Sequence, residues 1–400
     1  MLLRSQTCLT AVATVLALGL VPGSTQAAEE TAPALNWAAV YTADLHGVVG
    51  GARTRAGRYL DNLDLTADLD LEKAVGWSGA TLHAYVLNNS GGAPNDLAGT
   101  LQGVDNIEVA TPRLRLFELW LEQEFADGRG SLRGGLYNLN SEFYANDAAG
   151  LLISPAFGIG SELAATGPNG PSIFPSTSLG LRLNLGLGQG LYARAAVLNA
   201  KAGVLGDPGG VDLSLDDGVL GITQVGVDGP TRFSVGAWRY SKKQDDQRDV
   251  DPAGAPVHRA AQGAYLLAER KVFGSEDATS GVIFVRAGVS DGDTTPFHGG
   301  WQAGLRVSKP FASRPDSDFS VGIQQGVLAG KFRDNLRDEG VDPGAAESGV
   351  EVTYSDRVAE RLTVQPDVQW IHNAGGDRAT PDRWMVALRV KIELGGNADE

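Results

Sequence analysis

The feature that most constrains this 400-residue chain is an alternation of apolar and polar side chains that recurs along it. From Trp384 to Leu394 every second side chain is a large apolar one, and Arg389, Lys391 and Glu393 occupy positions between them. A repeat of two residues is that of a β-strand, whereas a helical stripe would repeat every 3.6 residues. Residues 179–186, 301–308 and 362–370 repeat in the same way. The sequence therefore predicts an all-β protein.

Sixteen segments are predicted to be strands, and their lengths of nine to twelve residues match the roughly 9–11 residues that a tilted strand needs to cross a bilayer. They are residues 38–48, 63–72, 78–88, 113–124, 130–140, 178–187, 190–200, 219–227, 231–241, 261–272, 281–290, 299–309, 317–328, 347–355, 361–371 and 383–394. Residues 28–400 contain no apolar run long enough for a membrane-spanning helix, so a chain that crosses a membrane here must do so as a closed barrel.

The connections between these strands alternate in length. Short ones are expected at 73–77, 125–129, 188–189, 228–230, 273–280, 310–316 and 356–360. The others are expected at 49–62, 89–112, 141–177, 201–218, 242–260, 291–298, 329–346 and 372–382. Short periplasmic turns and long extracellular loops are typical of outer-membrane barrels. We therefore predict a 16-stranded antiparallel transmembrane β-barrel of this kind.

Aromatic residues support the same layout, because barrels in membranes carry aromatic girdles at both interfaces. The predicted strands place Trp301, Trp370 and Trp384 at the long-loop end. They place Phe273, Phe311 and Phe319 at the short-turn end.

Residues 1–27 have the pattern of a signal peptide. Arg4 precedes an apolar stretch, and Thr25-Gln26-Ala27 forms a small-x-small cleavage site. Residues 28–400 are then expected to form a single barrel domain. Cys8, the one cysteine, falls within the leader, so no disulfide and no cysteine-based metal site is expected in the barrel.

Composition excludes several classes of function. Lys plus Arg number 33 and Asp plus Glu 48, and the net charge of −15 argues against nucleic acid as a partner. The five histidines have no spacing that joins one of them to a serine and an acid, so a barrel enzyme is disfavoured. Apolar strand faces argue against a secreted soluble β protein. The acidic runs at 245–251 and 291–293 are interpreted as solvated loop charge, with weak Ca²⁺ binding as the alternative.

A barrel of sixteen strands leaves a water-filled lumen. The alternation assigns Arg182, Arg306 and Arg389 to the inward face, whereas the direction of Arg113, Arg115 and Arg133 is left open because both faces of their strands are mixed. Guanidinium groups suit neighbouring hydroxyls of neutral polyols, and an indole stacks on the apolar face of a sugar ring. Candidate indoles are Trp77, Trp120 and Trp238. The alternative is that these arginines balance acidic side chains across the lumen, and the two roles are compatible.

The longest connection, residues 141–177, contains Leu151, Leu152, Phe157 and Phe174. A loop with this many apolar groups is expected to fold into the barrel and narrow the pore. An ordered external lid is the alternative.

A series of short motifs lies between residues 106 and 371. They read NIE at 106–108, RLRLFELWLEQ at 113–123, LRGG at 132–135 and NLNSEF at 138–143, with VQPDVQWI at 364–371. In this order and spacing they resemble the carbohydrate-selective porin family of Gram-negative outer membranes. The matching positions are Glu118, Trp120, Glu122, Gln123, Asn138, Asn140, Glu142 and Phe143.

The resemblance implies a sixteen-stranded barrel in the cell outer membrane that lets glucose and related small sugars diffuse through it. It implies neither catalysis nor a cofactor, and its partners would be small sugars and outer-membrane lipid. A general, non-specific porin for small solutes is the close alternative. Both a monomer and a homo-trimer remain compatible with the sequence.

Overall fold

The computed structural model describes residues 33–51, 55–207, 210–275 and 277–396, so the leader expected at 1–27 lies outside it. The strands are β1 (Leu35–Gly50), β2 (Ala56–Asp70), β3 (Ala80–Gly91), β4 (Leu114–Phe125), β5 (Gly130–Tyr137), β6 (Ser178–Gly188), β7 (Leu191–Asn199), β8 (Val219–Val227), β9 (Thr231–Tyr240), β10 (Gln244–Val250), β11 (Pro256–Arg259), β12 (Gln262–Phe273), β13 (Ser280–Ser290), β14 (Phe297–Ser308), β15 (Ser317–Leu328), β16 (Ala346–Ala359), β17 (Leu362–His372) and β18 (Arg383–Gly396).

In the part of the chain that the structure describes, four helices lie in the connections, namely α1 (Leu71–Val75), α2 (Asn95–Ala98), α3 (Ser161–Ala164) and α4 (Gly330–Asp338). Short 3₁₀ turns occur at Leu139–Ser141, Pro155–Phe157 and Ala374–Gly376. No helix in the described residues is long and apolar enough to cross a membrane.

Sixteen of the strands form a closed antiparallel barrel, which confirms the predicted fold class. Each strand pairs with its neighbour along the chain, β9 pairs with β12, and β18 pairs with β1 to close the ring. β10 and β11 form a separate two-stranded hairpin in the connection between β9 and β12.

The barrel wall is apolar outside and polar inside. Outward side chains such as Leu181 and Leu388 are exposed, whereas the inward neighbours Arg182 and Arg389 are buried. Because successive strand residues point to opposite faces, the polar positions that the sequence shows are the lumen positions. An apolar outer band around a polar interior is typical of a barrel in a membrane.

Two of the expected connections are wrong in detail. The segment 49–62 was expected to be a loop, but β1 continues to Gly50 and β2 begins at Ala56. The alternation is broken there, because the apolar Leu60 is buried on the inner face and the polar Asp61 lies at an outward position. Asn62 faces the lumen, where its side-chain oxygen accepts a hydrogen bond of 2.8 Å from Asn89. The segment 242–260 was also expected to be a loop, and it contains the β10–β11 hairpin.

The aromatic residues lie where the girdles were expected. Trp384 is the second residue of β18 and is exposed on the outer face at the long-loop end. Phe273 is the last residue of β12 and is exposed at the short-turn end.

The connection between β5 and β6, residues 138–177, lies inside the barrel, and we call it the lumen loop. The backbone N–H groups of Ile153 and Ser154 donate to the carboxylate of Glu351 on β16, the second at 2.9 Å. Arg286 on β13 donates to the carbonyl oxygens of Ala156 at 2.5 Å and Gly158 at 3.0 Å. The loop therefore crosses from the β5–β6 wall to the β13–β16 wall.

Glycines in the far wall make room for the lumen loop. A Cβ atom on Gly288 would lie 1.8 Å from the Glu162 carboxylate, and one on Gly322 would lie 2.6 Å from Leu152 and Phe157. Both positions face inward, so the absent side chains leave the volume that the loop fills.

A second loop, residues 92–113, is also tied to the inner wall. The backbone N–H groups of Leu101 and Gln102 donate to the buried carboxylate of Glu347 on β16 at 2.9–3.1 Å. The N–H group of Gly375 donates to the same carboxylate at 2.8 Å. Glu347 and Glu351, four residues apart on one strand face, thus hold three segments: loop 92–113, the connection between β17 and β18, and the lumen loop.

We predict that Glu351→Ala releases the lumen loop, because two buried N–H groups lose their acceptor. The expected results are a larger single-channel conductance in planar bilayers and new protease cleavage within residues 138–177. Glu360→Ala, in the exposed turn between β16 and β17, is the matched control. Unchanged conductance and cleavage in the Glu351 variant would show that this carboxylate does not hold the loop.

Candidate functional site

Three neighbouring strands bring two arginines and a glutamate together on the inner wall. Arg133 of β5 lies directly opposite Glu122 of β4 and opposite Arg182 of β6. The flanking residues Leu132 and Leu183 point outward and are exposed, which places all three charged side chains in the lumen. Glu142, from the start of the lumen loop, completes a group of four that we call the quartet.

The quartet is joined by three short ionic contacts and one long one. Glu122 Oε2 lies 2.6 Å from both Arg133 Nε and Arg182 Nη2. Glu142 Oε2 lies 2.8 Å from Arg182 Nε, and its Oε1 lies 4.0 Å from Arg133 Nη2. Two positive and two negative charges therefore cancel within one cluster.

The members of the quartet differ in how far they reach the open lumen. The side chain of Arg182 is 1% exposed, whereas those of Arg133 and Glu142 are 13% and 21% exposed. Within the described residues, Nη1 of Arg133 has no hydrogen-bond partner. An unused guanidinium donor and carboxylate acceptors at the edge can bind neighbouring hydroxyl groups of a passing solute.

Trp120 lies between two side chains. The His83 ring stacks on the indole at a centroid distance of 4.5 Å and an angle of 12°. The Arg133 guanidinium lies 3.7 Å from the indole centroid. His83 comes from β3 and Arg133 from β5, on either side of β4, so they cover opposite faces. The indole has no free face, and its geometry does not support the expected stacking on a sugar.

Four other motif residues shape the start of the lumen loop. The Glu118 carboxylate accepts the Asn138 N–H at 3.0 Å, and Asn138 Oδ1 accepts the Asn140 N–H at 3.1 Å. Asn140 donates to the carbonyl oxygens of Phe143 and Gly158 at 3.2 Å each. Phe143 is fully buried. These hydrogen bonds direct the start of the lumen loop into the barrel, and this places Glu142 beside Arg133 and Arg182.

The remaining motif residue and two candidate indoles lie away from the quartet. Gln123 Oε1 accepts a hydrogen bond of 2.6 Å from Trp77 Nε1, at the short-turn end. Trp238 is buried in a hydrophobic cluster and packs edge-on against Tyr240. Neither indole offers a face at the quartet.

Arg389 is the centre of a second inward cluster. Its Nη2 atom lies 2.6 Å from Asp44 Oδ2, 2.7 Å from Asn106 Oδ1 and 3.4 Å from Asp105 Oδ1. His46 Nε2 lies 2.8 Å from the other oxygen of Asp105. Asp44, His46 and Asp105 are close enough to hold a metal ion, but Arg389 already supplies positive charge to both carboxylates.

The other three predicted arginines lie at three further places. Arg306 pairs with Asp318 at 3.1 Å, and Arg113 pairs with Asp207 of the loop 200–218 at 2.5 Å. Arg115 donates to the carbonyl oxygen of Pro175 at 3.0 Å. The six arginines therefore do not form a single cluster, and only two of them belong to the quartet.

The acidic runs of the outer loops surround a lysine. Lys331 Nζ on α4 contacts Asp246, lies 2.9 Å from Asp249 Oδ2 and lies 2.8 Å from Asp293 Oδ1. Asp246 is buried, whereas Asp249 is partly exposed. Hydrogen bonds from Lys331 and Arg259 hold the pKa of Asp249 below its usual value. These acids join three loops through ion pairs.

Sequence reasoning did not single out the anchors of the two loops. These are Arg286, Glu347, Glu351 and Glu269, whose carboxylate accepts the Ala148 N–H at 2.6 Å. All four occupy inward positions of regular strands, and that alternation was the available signal. A cavity of about 330 Å³ lies between the two loops. Its lining includes Asn106, Glu108, Asn140 and Phe174.

A family model described as carbohydrate-selective porin, OprB family, matches residues 54–394. The chain belongs to this family. The resemblance seen in the motifs is thereby confirmed, and this member of the carbohydrate-selective porins is a protein of the outer membrane. Its fold and family are those of a channel.

Individual relatives agree with the family. Porin B of Pseudomonas aeruginosa is 24% identical over 378 residues, covering 84% of this chain and 82% of the relative. The putative porin QuiX of Acinetobacter baylyi is 22% identical, with 83% and 82% covered. The high-pH structure of Pseudomonas putida OprB has a TM-score of 0.78 at 20% identity, covering 90% of this chain and 94% of that one. This structural likeness supports the barrel fold.

We predict that Arg182→Met destabilises this porin by about 3 kcal/mol, because it leaves Glu122 and Glu142 without their buried partner. Arg306→Met removes a pair that is more exposed and is expected to cost about 1 kcal/mol or less. Urea unfolding of the two variants in lipid vesicles measures both changes. Equal effects would contradict the assignment of Arg182 as the buried centre of the quartet.

A further prediction concerns Glu162 of the lumen loop, which is buried and accepts a hydrogen bond of 2.7 Å from Tyr144. Burial raises the pKa of this carboxyl group. A raised pKa in the folded state favours folding at acid pH, and this contribution is lost as the pH rises through that pKa. Glu162→Gln, which stays neutral, is therefore expected to be more thermostable than wild type at pH 8 and not at pH 4. An equal gain in melting temperature for Glu162→Gln at pH 4 and pH 8 would refute this prediction.

Proposed function

We propose that the quartet is the solute-contacting constriction of a passive diffusion path for neutral monosaccharides such as glucose. The observation that carries the proposal is the balance of the quartet: its charges cancel, while the exposed edge of Arg133 keeps an unused hydrogen-bond donor. A neutral polyol is the solute that such a surface favours, because its hydroxyl groups both donate and accept hydrogen bonds.

The path requires no chemical step. A sugar leaves part of its hydration shell at the constriction and regains hydrogen bonds from the guanidinium and carboxylate edges. It then moves on along its concentration gradient, since these contacts are few and open to water. We propose on this basis that the protein has no catalytic activity and needs no cofactor.

The two loops set the width of the path in this proposal. The lumen loop covers the β13–β16 wall and delivers Glu142 to the quartet, and loop 92–113 covers the β1–β18 seam. The cavity between them, of about 330 Å³, then forms the approach from the long-loop end. Its size is that of a small-molecule site, which supports monosaccharides over longer chains.

Swelling of proteoliposomes tests the proposal. The rates at which glucose, mannitol and sucrose enter vesicles containing the wild-type protein are compared. Mannitol serves as an open-chain polyol of a size similar to glucose. Faster entry of glucose than of mannitol, and slow entry of sucrose, is the expected result. Rates ordered only by solute size would identify a general porin instead.

The role of the quartet is tested by Arg133→Ala, which is expected to reduce the advantage of glucose over mannitol while the channel stays open. Arg378→Ala, an exposed arginine in the connection between β17 and β18, is the matched control and is expected to keep that advantage. An unchanged advantage in the Arg133 variant would place the sugar contact elsewhere in the lumen.

A further inference from the structure

We propose that Trp120 is a positioning residue, which holds the guanidinium of Arg133 in the orientation that a passing sugar meets and does not contact the sugar itself. The inference rests on the proposed function of the quartet. In this proposal the edge of the Arg133 guanidinium discriminates between sugars, and the Trp120 ring does not serve as a stacking surface for them.

The indole is fixed on three sides. His83 covers one face, Arg133 covers the other, and Nε1 donates to Glu118 at 3.2 Å. Glu118 is itself held by the Asn138 N–H at the start of the lumen loop. A ring with both faces and its only polar atom occupied has no surface left on which a sugar can stack.

Arg133 needs such a support because its ionic contacts alone do not fix it. It lies opposite Arg182 on the neighbouring strand, and like charges in that position repel. Both guanidinium groups share one oxygen of Glu122, and the contact of Arg133 with Glu142 is long, at 4.0 Å. A cation–π contact over the indole adds a second, planar restraint.

His83 supports the indole from behind. Its Nδ1 atom lies 2.8 Å from the Asp68 carboxylate on β2, so the imidazole is itself held in place. Asp68, His83, Trp120 and Arg133 thus form a row across four successive strands. Trp120 cannot move away from Arg133 without displacing this row.

A double-mutant cycle separates positioning from direct contact. Trp120→Leu, Arg133→Ala and the double variant are compared for the ratio of glucose entry to mannitol entry, with insertion verified by channel formation. Trp120→Leu is expected to lower this ratio by about two- to fivefold, the worth of a lost cation–π contact. If Trp120 acts only through Arg133, the double variant has the ratio of Arg133→Ala alone.

Ion selectivity is a second measurement, and it is not expected to change if Trp120 only stabilises the fold. In Trp120→Leu the guanidinium is released toward the lumen, so the reversal potential in a KCl gradient is expected to shift toward anion selectivity. Trp120→Phe keeps an aromatic face under Arg133 and is expected to restore much of the wild-type value. Trp384→Leu, on the outer face, is the matched control and is expected to leave the reversal potential unchanged.

Two results would overturn the proposal. A further fall in the glucose ratio when Trp120→Leu is added to Arg133→Ala would mean that the indole contacts the sugar directly. No change in ratio or reversal potential in Trp120→Leu would mean that the other contacts of Arg133, with Glu122 and with the Tyr137 ring at 5.2 Å, position it without the indole. A wild-type channel without any preference for glucose would defeat the proposed function, and the reversal potential would still decide the positioning role.

Discussion

The interior of this barrel depends on wall carboxylates that accept backbone N–H groups from loops. Glu347 binds loop 92–113, and Glu351 and Glu269 bind the lumen loop. Chain folded into a lumen leaves donors shielded from water, and each one without a partner costs about 1–3 kcal/mol. Inward acids on regular strands meet this need. The shape of the lumen is therefore set by hydrogen bonds between wall and loops, and apolar contacts such as that of Phe157 with Phe284 fill what remains.

The same requirement explains why charge is abundant inside and nearly balanced at the quartet. A buried charge without a partner is strongly unfavourable. The buried charge of Arg182 is paired with two glutamates, Glu122 and Glu142. The buried guanidinium of Arg286 donates instead to carbonyl oxygens of the lumen loop. Arg133 is the arginine of the quartet that has an ionic partner and still reaches the lumen, as the two glutamates do. Structural pairing and the solute contact that we propose are thus compatible within one arrangement, which the sequence had left open.

The strands could be predicted because lipid favours apolar side chains at outward positions. The alternation is broken at the start of β2, where the outward residue Asp61 is polar and the inward residue Leu60 is apolar. The contacts inside the barrel could not be predicted, since alternation gives the face of a residue and not its partner. Ile153 and Glu351, for example, are 198 residues apart. The motif identified Trp120 as a candidate, but only the cross-strand neighbours on β3 and β5 show that both its faces are covered.

Asp44 and Arg389 lie on the first and last strands of the barrel and form their ion pair across the seam. The same guanidinium binds Asn106 and Asp105 of loop 92–113. Before β18 is in place, Asp44 and Asp105 lack the cation that they share. The pairing of the first and last strands and the seating of this loop therefore depend on the same guanidinium, so that the closed ring and the position of loop 92–113 are coupled.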